Sequence, residues 1–257
     1  MNMAKILITG SSDGIGQAAA QLLIKQGHTV YLHARNSTRA SEAQKSTPGA
    51  AGVLTGDLTS LSSTRDLAAQ ANSQGPWDAV IHNAGLGPSN SLPKTADGFP
   101  STFQVNSLAP YVLTALMQKP KRLLYLSSSL HSGGSDSLSN LKEESSSSMA
   151  AYSASKLHDI ILANAVARYW PDVQSCSLDP GWIQTKMGGS GAPGKTSTPA
   201  KAIAEFAVGK SPVFGEKTGV YGNPQGAQNP QRAALDEGKQ EEFMKLCREF
   251  SGVPFPK

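Results

Sequence analysis

Apolar runs of strand length recur along the chain, and helical patterns separate nearly all of them. The first run is Ile6, Leu7 and Ile8, which is followed by a glycine-rich stretch and then by an alanine- and leucine-rich helical segment. Strand and helix in alternation are typical of a parallel sheet with helices on both of its faces. We therefore predict an α/β fold with a doubly wound parallel sheet of seven strands. The predicted strands cover residues 5–9, 29–33, 52–55, 79–82, 123–127, 173–178 and 219–221.

A glycine-rich turn joins the first predicted strand to the first predicted helix. It contains Gly10, Gly14 and Gly16, with the spacing GxxxGxG rather than the commoner GxGxxG. The first glycine permits a tight exit from the strand, the second lets the backbone approach a phosphate, and the third lets helix and strand pack closely. The helix N-terminus adds free N–H groups and a partial positive charge. The turn therefore predicts a nucleotide-binding site.

Tyr152 and Lys156 lie four residues apart in a segment with a helical apolar stripe, which serines at 145–148 can cap. On a helix this spacing places both side chains on one face, with Cβ atoms about 5–6 Å apart. A phenol exchanges a proton efficiently at neutral pH only if something stabilises its phenolate. An ammonium at roughly 4 Å does so by on the order of 4 kcal/mol at an effective dielectric of about 20. The two residues are therefore a candidate acid/base and its activating cation.

Seven short motifs occur in a fixed order, and together they resemble the short-chain dehydrogenase/reductase family. They are TGSSDGIG from Thr9, GDLTSL from Gly56, NAG from Asn83, VNSLAP with Asn106, LSSS from Leu126, YSASK from Tyr152 and DPGWIQT from Asp179. The segments RLLYLSSSLH and PGWIQTKMGG are most similar to the retinol-dehydrogenase-like and carbonyl-reductase-like branch. The resemblance implies a Rossmann fold in which residues 1–257 form one dinucleotide-binding catalytic domain.

The resemblance also implies the roles of the residues at the reacting centre. Tyr152 would exchange the proton with the substrate oxygen, Lys156 would stabilise its phenolate and hold the nicotinamide ribose, and Asn106 would anchor a proton-relay water. The register through RLLYLSS indicates Ser128 as the serine that orients the carbonyl, whereas counting thirteen residues back from the tyrosine indicates Ser139. We prefer Ser128, because a strand end holds geometry better than a serine-rich loop.

The end of the second predicted strand bears on the choice of cofactor. An acid at this place binds the ribose hydroxyls of NAD, whereas an arginine accommodates the extra phosphate of NADP. Ala34 stands where the acid is expected and Arg35 follows it, so we expect NADP (NADPH) in preference to NAD. Asp13 argues against this choice, because many NADP-binding relatives carry a basic residue in the glycine-rich turn.

The remaining cofactor contacts follow from the resemblance as well. Asp57 is similar to the residue that contacts adenine, residues 83–85 to the turn over its ribose, and residues 180–185 to the turn that packs on the nicotinamide. Residues of about 186–209 are expected to form a substrate lid, followed by a C-terminal segment over 210–257. The predicted cofactor-binding residues are Gly10, Ser12, Asp13, Gly14, Ile15, Gly16, Arg35, Asn36, Asp57, Leu58, Asn83, Ala84, Gly85, Tyr152, Lys156, Pro180, Gly181, Ile183 and Thr185.

Composition narrows the function classes. A length of 257 residues with 39% hydrophobic content suits one domain, and the net charge of +4 is scattered, so we do not expect nucleic-acid binding. Cys176 and Cys247 have no metal-ligand spacing, and no metal is expected. The chain enters its first strand without a signal peptide and lacks a run of about 18 apolar residues, which suggests a cytoplasmic protein without a membrane span.

These observations predict an NADP(H)-dependent oxidoreductase that reduces a ketone or aldehyde to an alcohol, or catalyses the reverse reaction, with Tyr152 as general acid/base. Its partner would be a small-molecule carbonyl or alcohol, and a homodimer or homotetramer is an open expectation. One alternative is a non-enzymatic NADP(H)-binding sensor on the same fold, since a fold does not determine a function. Another is a relative of sugar-nucleotide epimerases, although only about 70 residues follow the PG turn.

Overall fold

A mostly parallel sheet forms the centre of the structure, a computed structural model that describes residues 3–89, 92–143, 145 and 147–256. Its strands are β1 (Lys5–Ile8), β2 (Thr29–Ala34), β3 (Gly52–Thr55), β4 (Ala79–His82), β5 (Arg122–Leu126), β6 (Gln174–Leu178), β7 (Val220–Asn223) and β8 (Gly226–Ala227). They are arranged in the order β3-β2-β1-β4-β5-β6-β7-β8. The order reverses between β1 and β4, which places a crevice beyond the carboxyl ends of these strands. The predicted doubly wound Rossmann sheet is confirmed.

The eighth strand is a correction to the predicted count of seven. β8 runs antiparallel to β7, with Gly222 opposite Ala227 and Asn223 opposite Gly226. A strand of two residues has neither an apolar run nor an alternating pattern, so the sequence carries no signal for it. Among the described residues the sheet therefore has eight strands.

Helices cover both faces of this sheet. They are α1 (Gly14–Lys25), α2 (Ser37–Ser46), α3 (Leu61–Gln74), α4 (Ser101–Phe103), α5 (Ala109–Leu116), α6 (Ser148–Tyr169), α7 (Ser197–Ala207) and α8 (Glu237–Ser251). A π-helical segment, Gln104–Leu108, joins α4 to α5, and 3-10 helices cover Ser129–Gly133 and Arg232–Leu235. Within the described ranges, none of the helices combines the length and the apolar character that a membrane crossing requires.

β1 shows how each strand contributes to two separate cores. Leu7 packs in the core that contains residues of α3, α5, α6 and α8. Ile6 and Ile8 pack in the core that contains residues of α1, α2 and α7. Successive side chains of a strand point to opposite faces, so an uninterrupted apolar run is what a strand buried on both faces requires.

Helix α6 crosses the middle of one face and is buried along most of its length. Ser147 caps it, with the Ser147 Oγ accepting a hydrogen bond from the Ala150 N–H at 3.3 Å. Every residue from 155 to 167 is buried, because the helix lies between the sheet and α8. The buried stretch includes three ionisable side chains, Lys156, His158 and Asp159.

Helix α7 is part of the core rather than of a lid. Ile203 and Phe206 are fully buried, and the helix packs against α1. The predicted lid of residues 186–209 therefore includes a fixed helix, because the apolar face of that helix is covered by the sheet and by α1. The part that remains a candidate lid precedes α7, and Lys186 and Met187 from this part line the cleft described below.

Candidate active site

A cleft of about 540 Å³ lies at the carboxyl ends of the central strands. It brings the glycine-rich turn, the end of β2 and the Tyr152–Lys156 pair to one site, although these segments are far apart in the sequence. The predicted residues that line it are Gly10, Ser12, Asp13, Gly14, Ile15, Arg35, Asp57, Leu58, Asn83, Ala84, Gly85, Tyr152, Lys156, Pro180 and Thr185.

Four predicted cofactor-binding residues lie outside this lining. Gly16 is buried, and a Cβ added to it would lie 2.5 Å from Asn83 Nδ2. Asn36 is exposed and caps α2, its side chain accepting a hydrogen bond from the Arg39 N–H at 2.9 Å. Gly181 is an exposed turn residue with φ +85, and Ile183 is buried. Their contacts with a cofactor stay predictions.

The glycine-rich turn is held firmly against the end of β4. Gly10 has φ +60, and a Cβ on it would lie 2.7 Å from the Ala84 Cα. The Asn83 amide donates to the backbone oxygens of Thr9 and Gly10 at 2.9 and 3.0 Å. These contacts require glycine at position 10 for both its conformation and its lack of a side chain. They also show that the Asn83 amide supports the turn from within the protein.

The N-terminus of α1 suits a phosphate group. Asp13 is its cap residue by position, yet the Asp13 side chain makes no hydrogen bond to the helix N–H groups. The first N–H groups of a helix have no partner within the helix, and they carry a partial positive charge. Gly14, with φ +60, leaves the approach to them free of a side chain. The residues present therefore fit the pyrophosphate of a dinucleotide.

Tyr152 and Lys156 lie on the same face of α6, as their spacing predicted. The Lys156 Nζ is 5.7 Å from the centroid of the Tyr152 ring. Tyr152 is half-buried at the cleft, whereas Lys156 is buried. The Lys156 ammonium donates to the backbone oxygen of Leu126 at 2.6 Å and to Asp159 Oδ2 at 2.8 Å. The ammonium is therefore fixed between the end of β5 and its own helix.

Asn106 lies in the π-helical segment and connects the loop after β4 to α6. Its Oδ1 accepts a hydrogen bond from the Leu86 N–H at 2.7 Å, and its Nδ2 donates to the Leu86 oxygen and to Ser155 Oγ, both at 3.0 Å. Ser155 in turn donates to the Tyr152 backbone oxygen at 2.7 Å. Asn106 thus supports the backbone at Tyr152, while its predicted role in anchoring a water stays a prediction.

The serines after β5 differ in how their hydroxyls are used. Ser127 is buried, and its Oγ donates to the Lys156 backbone oxygen at 2.7 Å. Ser128 is half-buried, and its Oγ accepts a hydrogen bond from the Leu130 N–H at 3.2 Å. Ser139 is exposed, with its Oγ 2.9 Å from that of Ser137. Ser128 therefore lies at a strand end and is partly exposed to solvent. Its catalytic role stays a prediction.

Two cations near the glycine-rich turn were not predicted from the sequence. Arg39 lines the cleft, and its Nη2 lies 2.8 Å from Asp13 Oδ2 and 3.1 Å from Ser12 Oγ. Lys186 approaches the same oxygen of Asp13 to 3.1 Å. Arg39 lies in the first turns of α2, whereas Arg35 precedes that helix, so no helical spacing relates the two arginines. The contact of Lys186 joins residues 173 positions apart and has no local signal.

Asp159, which contacts Lys156, is another charged residue that the sequence analysis did not single out. Its side chain is 3% exposed. Burial raises the pKa of Asp159 to about 6, although the charge and hydrogen bond of Lys156 act in the opposite direction. Burial alone would lower the pKa of Lys156, but Asp159 and Tyr152 outweigh this effect and raise it. A carboxylate three residues after the lysine, on the same helix, is the signal that could have found it.

Among the residues that the structure describes, no group of three or more His, Cys, Asp or Glu side chains could hold a metal ion. Cys176 and Cys247 are both buried and do not form a disulfide. Burial raises the pKa of the Cys247 thiol well above its usual value and that of Cys176 to about 12. Both thiols therefore behave as core side chains.

Comparisons with known proteins give the family. The family model described as short chain dehydrogenase matches residues 4–195. An uncharacterized oxidoreductase of Emericella nidulans is 49% identical over 258 residues, and the alignment covers 99% of each chain. Retinol dehydrogenase 14 of Homo sapiens is 30% identical, and the alignment covers 86% of this chain and 74% of that enzyme.

Solved structures have the same fold. An uncharacterized protein from Mycobacterium paratuberculosis is 25% identical and superposes with a TM-score of 0.82, covering 99% of this chain and 95% of that one. The NADPH-bound carbonyl reductase from chicken fatty liver is 20% identical and superposes with a TM-score of 0.70, covering 90% of this chain and 100% of that one. Because the family match spans residues 4–195 and a relative is 49% identical along its whole length, the chain belongs to the short-chain dehydrogenase family of oxidoreductases.

Proposed function

We propose that this oxidoreductase uses NADP(H) to reduce a ketone or aldehyde to an alcohol, or to catalyse the reverse reaction, with Tyr152 as general acid/base. The observation that supports this most is the position of Tyr152 and Lys156 in the same cleft as the glycine-rich turn. A phenol, an activating ammonium and a phosphate-binding helix end are the parts that carbonyl reduction with a dinucleotide needs from the protein.

Tyr152 and Lys156 in the cleft, and Ser128 next to the cleft-lining Ser127, would divide the chemistry among them. A bound nicotinamide supplies or accepts the hydride. Tyr152 gives its hydroxyl proton to the substrate oxygen during reduction and removes that proton during oxidation. The Lys156 ammonium, fixed at 2.6 Å from the Leu126 oxygen, stabilises the phenolate that remains. The Ser128 hydroxyl, at the end of β5, would donate a hydrogen bond to the substrate oxygen and so orient the carbonyl.

The preference for NADP rests on the charges at the end of β2. Arg35 is exposed and lines the cleft, and Ala34 before it offers no carboxylate to repel a phosphate. Asp13, which argued against NADP in the sequence, forms ion pairs with Arg39 and Lys186. Its negative charge is thereby offset, and the guanidinium of Arg39 stands at the same end of the cleft. The NADPH in the chicken carbonyl reductase structure, a protein of the same fold, agrees with this preference.

The substrate, the oligomeric state and the location of the protein stay predictions. We propose a small carbonyl compound or alcohol as the substrate, because the cleft leaves Tyr152 half-buried at its wall. A homodimer or homotetramer and a cytoplasmic location are the expectations from the sequence.

The test is an assay of the purified protein with NADPH against a panel of ketones and aldehydes, followed by cofactor absorbance, together with the reverse reaction from the alcohols. The wild type should turn over at least one pair, and Tyr152→Phe should lose about 10²–10⁴-fold in activity. Fluorescence titration should show that Tyr152→Phe still binds NADPH, because only the transferable proton is removed. A wild type that binds NADPH but reduces or oxidises nothing in the panel would favour the sensor alternative.

A further inference from the structure

Asp159 carries a buried charge that the proposed chemistry does not by itself require. Its Oδ2 is 2.8 Å from the Lys156 Nζ, and both side chains are almost completely buried, at 3% and 7% exposure. An ammonium has three hydrogens to donate. The Leu126 oxygen and Asp159 take two of them, which leaves one for a ligand or for Tyr152. Lys156 is thus held by one neutral acceptor and one charged acceptor.

The carboxylate is also close enough to act on Tyr152. The Lys156 Nζ lies 5.7 Å from the Tyr152 ring centroid and 2.8 Å from Asp159 Oδ2, so this oxygen is no further than about 8.5 Å, the sum of the two distances, from the ring. The three residues are spaced by four and three positions along one face of α6. Salt screens buried charges much less than exposed ones. The negative charge of Asp159 therefore opposes the phenolate that the positive charge of Lys156 supports.

Other ionisable groups near Asp159 are neutral under ordinary conditions. Tyr125 of β5 faces Asp159, and burial raises its pKa above the usual range, with the Thr114 hydrogen bond acting against this and Asp159 adding to it. His82 stacks on Tyr125, with ring centroids 4.8 Å apart, and burial lowers its pKa to about 3. Tyr125 and His82 both contact Thr114 Oγ1, at 2.9 and 3.1 Å. Tyr125 and His82 therefore add no charge beside the Lys156–Asp159 pair.

We propose that Asp159 is a positioning residue for the catalytic pair: it holds the Lys156 ammonium against Leu126, and its charge offsets part of the effect of that ammonium on the Tyr152 phenol. This inference rests on the proposed roles of Tyr152 and Lys156. It makes Asp159 a determinant of the pH range in which Tyr152 can act. Two opposite charges at different distances from the phenol leave a smaller net field than the lysine alone would produce.

Asp159→Asn separates the two parts of this role. The amide oxygen and the Leu126 oxygen can still accept hydrogen bonds from Lys156, and Tyr152 still favours its charged form, so the ammonium keeps its place while the negative charge of Asp159 is gone. The Tyr152 phenol should then ionise at a pH lower by about one unit, as expected for a charge within 8.5 Å at an effective dielectric of about 20. Asp159→Glu keeps the charge and should return the ionisation to within about 0.3 pH unit of wild type.

The experiment is a pH titration of isotope-labelled tyrosine by NMR on the full-length protein, without substrate or cofactor. The chain has six tyrosines, and the Tyr152 signal is the one lost in Tyr152→Phe. Asp172→Asn is the matched control, because it removes the same charge from a side chain that is 67% exposed and paired with Lys119 at the surface. The Tyr152 midpoint should fall in Asp159→Asn and stay unchanged in Asp172→Asn.

A midpoint that is unchanged or higher in a folded Asp159→Asn protein overturns the proposal. Circular dichroism establishes that the variant is folded, and Asp159→Ser, which also lacks the charge, gives the same measurement if the amide variant does not fold. The pH profile of turnover should move in the same direction as the midpoint. Because the titration needs no substrate, a protein without carbonyl-reductase activity could still show the shift, and an active enzyme could lack it. Failure of this inference about Asp159 and failure of the proposed function are therefore distinguishable.

Discussion

The Arg39 guanidinium donates a hydrogen bond to Asp13 Oδ2 at 2.8 Å and so joins α2 to the glycine-rich turn. Lys186, from the segment after β6, contacts the same oxygen at 3.1 Å. The three charges lie at the surface, with 26%, 45% and 77% of the side chains of Arg39, Asp13 and Lys186 exposed, so they contribute little to folding stability. Their main effect is on the electrostatic potential at one end of the cleft, where we propose that the extra phosphate of NADP binds.

Arg35→Ala should weaken NADPH binding about tenfold to a hundredfold, because a charge-assisted contact contributes about 1.5–3 kcal/mol. NADH binding should change little, since NADH lacks the phosphate. Fluorescence titration with both cofactors measures the two constants. Arg248→Ala, at an exposed position on α8 away from this cleft, is the control for the loss of a positive charge. Equal losses for the two cofactors in Arg35→Ala would contradict the phosphate assignment.

Arg39→Met should also weaken NADPH binding, for two reasons. It removes a cation from the cleft, and it leaves Asp13 with less positive charge around it. In an Asp13→Asn background only the first reason remains, so Arg39→Met should cost less there than in the wild type. The same titrations, carried out as a double-mutant cycle, give the coupling between the two residues. Additive effects would show that the ion pair does not influence the cofactor.

The choice between Ser128 and Ser139 is open to a direct comparison. Ser128→Ala should lower kcat by about 10²–10³-fold, as expected for the loss of one hydrogen-bond donor to the substrate oxygen. Ser139→Ala should change kcat by less than about threefold, because Ser139 is exposed and contacts Ser137 rather than the cleft. Steady-state kinetics with one good substrate decide between them. A large loss in Ser139→Ala with a small one in Ser128→Ala would show that the loop delivers the catalytic hydroxyl.

Gly10→Ala should destabilise the fold by roughly 2–4 kcal/mol, because φ is +60 and the new Cβ would meet the Ala84 Cα at 2.7 Å. NADPH binding should weaken as well, since the turn must move. Gly133→Ala is the control, because a Cβ there has open space around it, and its stability should stay within about 0.5 kcal/mol. Urea unfolding of both variants provides the measurement. A Gly10→Ala protein as stable as Gly133→Ala would show that the turn relaxes without cost.

Stability should fall as the pH drops below about 6.5, because of buried histidines. Burial lowers the pKa of His82 to about 3 and that of His158 to about 4, so the unfolded chain takes up protons that the folded chain does not. Each such histidine destabilises the fold by up to about 1.4 kcal/mol per pH unit. Asp159 acts in the opposite sense. Its pKa is raised from 3.8 to about 6, so between these two pH values the folded chain binds a proton that the unfolded chain does not yet bind. The destabilisation from the two histidines is larger than the stabilisation from the one carboxyl group, so the net stability should fall.

His82→Gln tests this pH dependence. The variant keeps a polar group beside Thr114 but cannot take up the proton, so it should lose less stability than the wild type between about pH 7.5 and pH 5. Urea unfolding at the two pH values gives the comparison, and the difference at the higher pH serves as the internal control for the substitution itself. Parallel losses in both proteins would exclude His82 as a source of the effect.

Features with a local period were predictable from the sequence. Apolar runs such as Ile6–Ile8 located the parallel strands, because a strand buried on both faces needs apolar residues at successive positions. The four-residue interval of Tyr152 and Lys156 put both on one face of a helix, because an α-helix has 3.6 residues per turn. The family motifs then connected these features to one kind of site. The doubly wound sheet and the predicted nucleotide-binding residues that line the cleft follow from signals of this kind.

Only the tertiary structure determined the contacts between residues that are far apart in the sequence. Lys186 and Asp13 are 173 residues apart, and only the packing of the segment after β6 brings their charges to 3.1 Å. Asp159 is buried because the sheet and α8 cover the helix around it. From the sequence alone, Asp159 would be expected to be a solvent-exposed charge on a helix. On the other face of the sheet, packing of its apolar residues against α1 places α7 in the core instead of over the cleft. Charge balance at the site depends on distance and on the exclusion of water, and both arise only when the whole chain is folded.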